Sequence, residues 1–207
     1  MLLNQLSFDL LHPQPLLIVI SGTSGIGKDA VIHALKRRNL PIHFVITATS
    51  RPPRPDEKNG IDYFFYSREE FEQQIARNEF IEHALVYQDY KGIPRSQIDE
   101  AIKSGQDVIL KLDVQGAATI RKLYPEAVLV FLVPNTVEEW YDRLRDRRSE
   151  TPESLDVRVK TAIAEVQQIS IFDYVVLNAH GHMEAAVDDI IHILQSEHMR
   201  VHHRKIL

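Results

Sequence analysis

Residues Gly22-Thr23-Ser24-Gly25-Ile26-Gly27-Lys28-Asp29 carry glycines and a lysine at the spacing of a phosphate-binding loop. The glycines let main-chain N–H groups turn inward around phosphate oxygens. The Lys28 ammonium can bridge terminal phosphates and follow charge as a phosphoryl group moves. Serine or threonine usually closes this pattern and binds Mg²⁺, but here the residue is Asp29. A carboxylate is itself a hard oxygen ligand for Mg²⁺, although Asp29 also suits a plain helix cap. Arg51 and Arg54 lie three apart in the proline-stiffened stretch SRPPRP. Guanidinium forks pair bidentately with phosphate, and a solvated basic turn is the competing reading. Arg143, Arg145, Arg147 and Arg148 cluster ahead of Arg158. Such groups can stabilise the spread charge of a phosphoryl-transfer transition state.

These residues need a scaffold. Leu16–Ser21 (LLIVIS) is an apolar run that stops at a glycine, the pattern of a strand buried on both faces. Lys28–Arg38 then has helical spacing, with Val31, Ile32 and Leu35 on one side. The helix adds the positive end of its dipole to the loop. Further buried strands are predicted at Phe44–Ala48, Asp107–Leu112, Ala127–Val133 and Tyr174–Leu177. Helices are predicted at Pro94–Ser104, Gln115–Lys122, Thr136–Arg147 and His182–Glu197. The alternation predicts an α/β fold with a mostly parallel sheet and helices on both faces. Asp113 falls at the end of one such strand, where ligands of open α/β sheets collect.

Two stretches break the rhythm. Residues 50–92 begin in a Pro-rich turn and continue through Asp62–Tyr66, a helix near Arg68–Arg77 and short strands near Phe80–Val86. They read as an inserted lobe. Asp146–Glu153 is charged and loop-like, and a polar helix runs from it to Gln168. The two read as flaps around one rigid core, which spans 16–199 between an extension at 1–15 and a tail at 200–207.

Composition narrows the function. In 207 residues, 44% are hydrophobic and 26% charged, an ordinary globular balance that argues against disorder. The apolar runs, Leu16–Ile20 among them, are too short to span a bilayer. The net charge of −5 is unlike that of a general nucleic-acid binder. Cysteine is absent, so there is no disulfide framework and no thiolate zinc site; this fits a reducing compartment. The first fifteen residues have neither a basic n-region nor a small-residue cleavage site, so no signal peptide is expected. The histidines of SEHMRVHHRKIL read as part of a solvated tail, and no metal is assigned there.

From Leu16 to Glu197 the chain resembles the guanylate kinases. The segments that carry the likeness are VISGTSGIGKDAVI, TATSRPPRPDEKNGIDYFF, NEFIEHALVYQDYKGIPRSQI, DVQGA and FDYVVLNAHG. The forms GKDAVI, YKGIP and DVQGAAT look like the plant-organelle and cyanobacterial branch. The resemblance implies a P-loop NTPase three-layer fold whose core binds ATP, with an acceptor lobe at about 50–92 and a lid at about 146–168. It implies transfer of the γ-phosphoryl group of ATP to GMP with Mg²⁺. The expected partners are ATP and GMP, without nucleic acid or membrane, for a cytoplasmic monomer or homodimer.

By the same resemblance, Gly22 to Asp29 hold the ATP phosphates and Asn178 contacts adenine. Arg51 and Arg54 hold the acceptor phosphate with the Tyr63 hydroxyl, and Thr47, Glu82 and Asp113 surround guanine. Arg147 and Arg158 are lid arginines that join Lys28 and Arg51 in catalysis. The chain departs from the family at three places. Lys91 stands where a tyrosine commonly contacts phosphate. Ile93 replaces a hydroxyl residue that reads guanine, and isoleucine has no polar side-chain atom. Lys111 replaces an acid near Mg²⁺, while Asp29 puts an acid on the loop. If Asp29 and Lys111 pair at ~4 Å, raw attraction is ~4 kcal/mol at an effective dielectric of ~20, enough to make the two changes interdependent. Two other readings stay open: a kinase of this fold with another small phosphorylated acceptor, and a non-catalytic binding module.

Overall fold

A computed structural model describes residues 14–86, 88–145 and 152–204. Five parallel strands form the central sheet: β1 (Leu17–Gly22), β2 (Ile42–Phe44), β7 (Asp107–Lys111), β8 (Val128–Val133) and β9 (Tyr174–Leu177), in the order β2-β7-β1-β8-β9. β1 lies at the centre and is buried along its whole length. Its alternate side chains feed two different cores. Ile18 and Ile20 pack with Val31 and Leu35 of α1 (Lys28–Arg37) and with Val187 and Ile190 of α7 (Met183–His198). Leu17 and Val19 pack with Ile98 of α3 (Arg95–Ser104) and with Ala117 and Ile120 of α4 (Val114–Leu123). Helices therefore cover both faces, which explains why the strand reads as continuously apolar.

A second sheet, ordered β4-β3-β6-β5, builds the inserted lobe from β3 (Ala48–Thr49), β4 (Phe64–Phe65), β5 (Phe80–Val86) and β6 (Asp89–Pro94). Its own small core is aromatic. Phe71 of α2 (Arg68–Ala76) stacks on Phe80 at 4.4 Å and on Tyr90 at 5.3 Å between ring centroids. A capping box starts α2, with Ser67 and Glu70 each bonding the other's main-chain N–H. α5 (Val137–Arg145) and α6 (Pro152–Val166) share a third cluster, in which Trp140 and Leu144 meet Ala162.

The single strand expected at Phe44–Ala48 is two strands in two sheets. Ile42–Phe44 pairs with β7, and Ala48–Thr49 pairs with β4 and β6. Between them, the Val45 amide still donates to the Ile109 carbonyl and that of Ile46 to Gln97 Oε1, carrying the chain from one sheet to the other. β6 was not expected. It forms a hairpin with β5 in which Glu82 is opposite Ile93 and Ala84 opposite Lys91. Gly92 makes that crossing possible, since a Cβ there would lie 2.9 Å from the Glu82 carbonyl oxygen and 2.9 Å from the Phe80 ring. At the C-terminal end, Arg204 folds back to donate to both carboxylate oxygens of the buried Glu197.

Candidate active site

The phosphate loop joins the C-terminal end of β1 to α1, where a parallel sheet presents its ligands. Gly25 and Gly27 have φ of 85° and 94°, in the left-handed region that favours glycine. The loop is tied from behind. Trp140 Nε1 donates to the Ser24 carbonyl at 2.9 Å, and Asn178 Nδ2 to the Ile26 carbonyl at 2.7 Å. Arg143 donates to the Ile26 and Asn178 carbonyls at 3.1 and 2.8 Å and is ion-paired with Glu139. The carbonyls of Ser24 and Ile26 are thus drawn to the back of the loop. Lys28 Nζ folds onto the Gly22 and Thr23 carbonyls at 2.5 and 3.0 Å. Burial, reinforced by the nearby Lys91 ammonium, lowers its pKa to about 8.

Across the cleft, Arg51 grips Glu57 with two bonds of 2.6 and 2.7 Å, and the Arg54 main-chain N–H donates to the same carboxylate at 2.8 Å. Glu57 thereby fixes the spacing of the two arginines. The Tyr63 ring is flanked by the Arg51 guanidinium, 5.0 Å from its centroid, and by Lys111 Nζ at 3.9 Å. Its hydroxyl reaches Asp29 Oδ1 at 3.3 Å, so Tyr63 links the inserted lobe to the phosphate loop. Asp29 is in direct ion pair with Lys111. Burial alone would raise the Asp29 pKa, but Lys111 outweighs it and holds the carboxyl well below the usual range.

A side pocket adjoins the cleft, lined by Thr47, Glu82, Lys91, Asp113 and Gly116 among others. Asp113 caps α4 through Oδ1, which accepts from the Gly116 amide at 3.0 Å, and its Oδ2 lies 3.4 Å from Lys91 Nζ. Glu82 is buried, and that burial, with the Asp113 charge behind it, raises its pKa to about 7. Ile93 is fully buried in the core between sheet and helices and presents nothing to the pocket.

One cleft therefore gathers Lys28, Asp29, Arg51, Arg54, Tyr63, Lys91, Asp113 and Arg158 from the residues singled out in the sequence. Thr47 and Glu82 sit in the side pocket. Asn178 is buried, with its amide nitrogen on Ile26, so it braces the phosphate loop. Arg143 braces it likewise. Arg147 lies outside the described residues. Three contributors were missed: Glu57, Trp140 and Glu165, the last lining the main cleft from α6. Glu57 is three residues beyond Arg54, a spacing that could have flagged it, whereas Trp140 and Glu165 read as ordinary helix residues.

A parallel sheet ending in this loop, with α1 rising from it, defines the P-loop class of phosphate-binding α/β proteins. Within that class the chain belongs to the guanylate kinase family, whose family model, described as "Guanylate kinase", matches residues 14–197. It is 48% identical over 195 residues to a chloroplastic/mitochondrial guanylate kinase 2 of Oryza sativa subsp. japonica, covering 94% of this chain and 68% of that one. It is 42% identical over 185 residues to a guanylate kinase of Clostridium perfringens, covering 89% and 85%. The crystal structure of the Anaplasma phagocytophilum guanylate kinase superposes with a TM-score of 0.74 at 29% identity, covering 93% of this chain and 90% of that one.

Proposed function

We propose that this protein transfers the γ-phosphoryl group of ATP to GMP, or to dGMP, giving ADP and GDP. The observation that carries the reading is that Lys28 opens into the same cleft as Arg51 and Arg54, beside a pocket floored by a buried carboxylate. The acceptor is a dianion that must approach another anion, so cations on both sides of the reaction path are what the chemistry requires.

Lys28 leaves its two carbonyl partners for the β- and γ-phosphates of ATP, with the loop amides wrapped around them. Arg51, Arg54 and the Tyr63 hydroxyl hold the GMP phosphate. An oxygen of that phosphate attacks the γ-phosphorus, the bond to the β–γ bridging oxygen breaks, and its electron pair stays on ADP. The protein supplies position and charge rather than a proton. Glu82 faces the N1 and N2 donors of guanine, supported by Asp113 and Thr47. Lys91, held by Asp113, lies where it joins the base to the acceptor phosphate. Arg158 approaches the transferring group from α6, and Arg147, outside the described residues, is its partner lid arginine.

Asp29 fits a role in holding Mg²⁺. Lys111 and Tyr63 occupy its Oδ1, while Oδ2 makes no hydrogen bond among the described residues, and its side chain is 40% exposed. An ionised carboxylate oxygen open to the cleft is the ligand type this ion takes. Bound there, Mg²⁺ supplies charge neutralisation on the triphosphate. Lys111 keeps Asp29 ionised and aimed. We place the protein in the cytoplasm as a monomer or homodimer, the location resting on a cysteine-free composition suited to a reducing compartment.

A panel of acceptors tests the reading: GMP, dGMP, AMP, UMP and a sugar phosphate, each with ATP and Mg²⁺. Turnover confined to GMP and dGMP is expected. Turnover on another acceptor, or on none, overturns it.

A further inference from the structure

Ser24 sits in the middle of the phosphate loop, and α5 and α6 converge on it. Trp140 Nε1 takes its carbonyl at 2.9 Å and Arg158 Nη1 its hydroxyl oxygen at 2.7 Å. Glu165 lies seven residues after Arg158, two turns further along the same side of α6. Its side chain enters the cleft that the loop and Lys28 line. The residue is only 7% exposed, and Oε2 is buried with no hydrogen-bond partner among the described residues. Burial pushes its pKa up; the Lys28 ammonium and the Ser24 amide pull the other way without overcoming it.

A buried carboxylate with an unmatched oxygen is costly. Nothing in the packing of α6 against α5 requires it, since that contact is made by Ala162, Leu155 and Val159. What Glu165 shares the cleft with instead is the Lys28 ammonium and the glycine loop, the groups that a phosphate oxygen meets in such a loop. We propose that Glu165 is a resident anion of the donor site, whose carboxylate stands in for a phosphate oxygen when no nucleotide is bound and must be displaced when ATP enters. This rests on the reading of the cleft as an ATP site. Glu165 then sets donor affinity, and it screens Lys28 from singly charged or small anions that make too few contacts to displace it. It takes no part in the phosphoryl transfer itself.

The test is Glu165→Gln, which keeps shape and hydrogen-bond acceptance but removes the charge. Trp140 is the only tryptophan in the chain and is bonded to Ser24, so its emission reports events at the loop. Fluorescence titration with ATP, and separately with inorganic pyrophosphate, gives binding constants without turnover. The variant is expected to bind both about tenfold more tightly, the order of effect that one like charge carries at a few ångströms in a partly screened site. KM for ATP falls in parallel, and KM for GMP stays within about twofold, a split that mere loss of fold would not produce. Unchanged ATP affinity overturns the proposal. Weaker affinity also overturns it, and makes Glu165 a support that positions the loop. If Glu165→Gln does not fold, Glu165→Asp, which withdraws the carboxylate by one methylene, must give the same direction of change. Failure of the kinase reading shows separately, as wild-type protein that does not phosphorylate GMP.

Discussion

Replacing Glu82 with glutamine sets stability against function in a way the geometry makes quantitative. The carboxyl is buried, with Asp113 behind it, and its pKa rises from 4.5 to about 7. At about 1.4 kcal/mol per unit, the ionised side chain costs the folded state about 3 kcal/mol once the pH exceeds its folded pKa. The sign follows from the raised value: the stability is fully present below the unfolded pKa and is lost as pH rises through about 7. Glu82→Gln removes the ionisable group. Its stability relative to wild type should therefore improve by about 2 to 3 kcal/mol between about pH 5 and about pH 8.5. Urea unfolding followed by Trp140 emission at the two pH values measures this. The same variant should lose on the order of 10²-fold in kcat/KM for GMP, because the neutral amide replaces a charged acceptor facing two guanine donors. A stability difference that does not move with pH would refute the placement of Glu82 as a strained buried carboxylate. Undiminished GMP kinetics would refute its role at the base.

Lys28→Ala should lower kcat by at least about 10²-fold through loss of charge at the transferring group, with a circular dichroism melt close to wild type. The pH profile of kcat/KM should be a narrow bell, because Glu82 must lose its proton near pH 7 and Lys28 must keep its proton, which it gives up near pH 8; Glu82→Gln should erase the acid limb alone. Asp29→Ser and Lys111→Asp should each weaken Mg²⁺ dependence and lower the melting temperature, since each leaves a charge without its partner. The double variant should recover both quantities, and recovery of neither would break the link between the two positions.

Local signals were the legible ones. The phosphate loop, the Arg51–Arg54 fork and the central strand each declare themselves within a few residues, because glycine spacing, proline stiffening and double-sided burial are local properties. The break between β2 and β3 was not legible, since Phe44–Ala48 is equally apolar whether it serves one sheet or two, and the neighbours that decide are Ile109 and Phe64. β6 was hidden because Asp89–Pro94 carries a glycine and ends in a proline that the helical pattern of Pro94–Ser104 claims, although Gly92 is what allows the close approach of β5. The Asp29–Lys111 pair was inferable only because two unusual residues compensated each other in charge. The sequence points Asn178 toward adenine and Arg143 toward the transferring charge, yet both hold the Ile26 carbonyl, more than a hundred residues away in sequence. Glu165 carries no motif at all, and only the folded cleft brings its carboxylate into the same lining as Lys28.

A crystal structure with GMP, Mg²⁺ and a non-hydrolysable ATP analogue tests the central claim most directly, that one cleft holds donor and acceptor phosphates between opposed cations. The account predicts Lys28 Nζ on the β- and γ-phosphates in place of the Gly22 and Thr23 carbonyls, with the GMP phosphate on Arg51 and Arg54 and guanine against Glu82. Lys28 still on its two carbonyls with nucleotide bound, or GMP seated away from the two arginines, would contradict it.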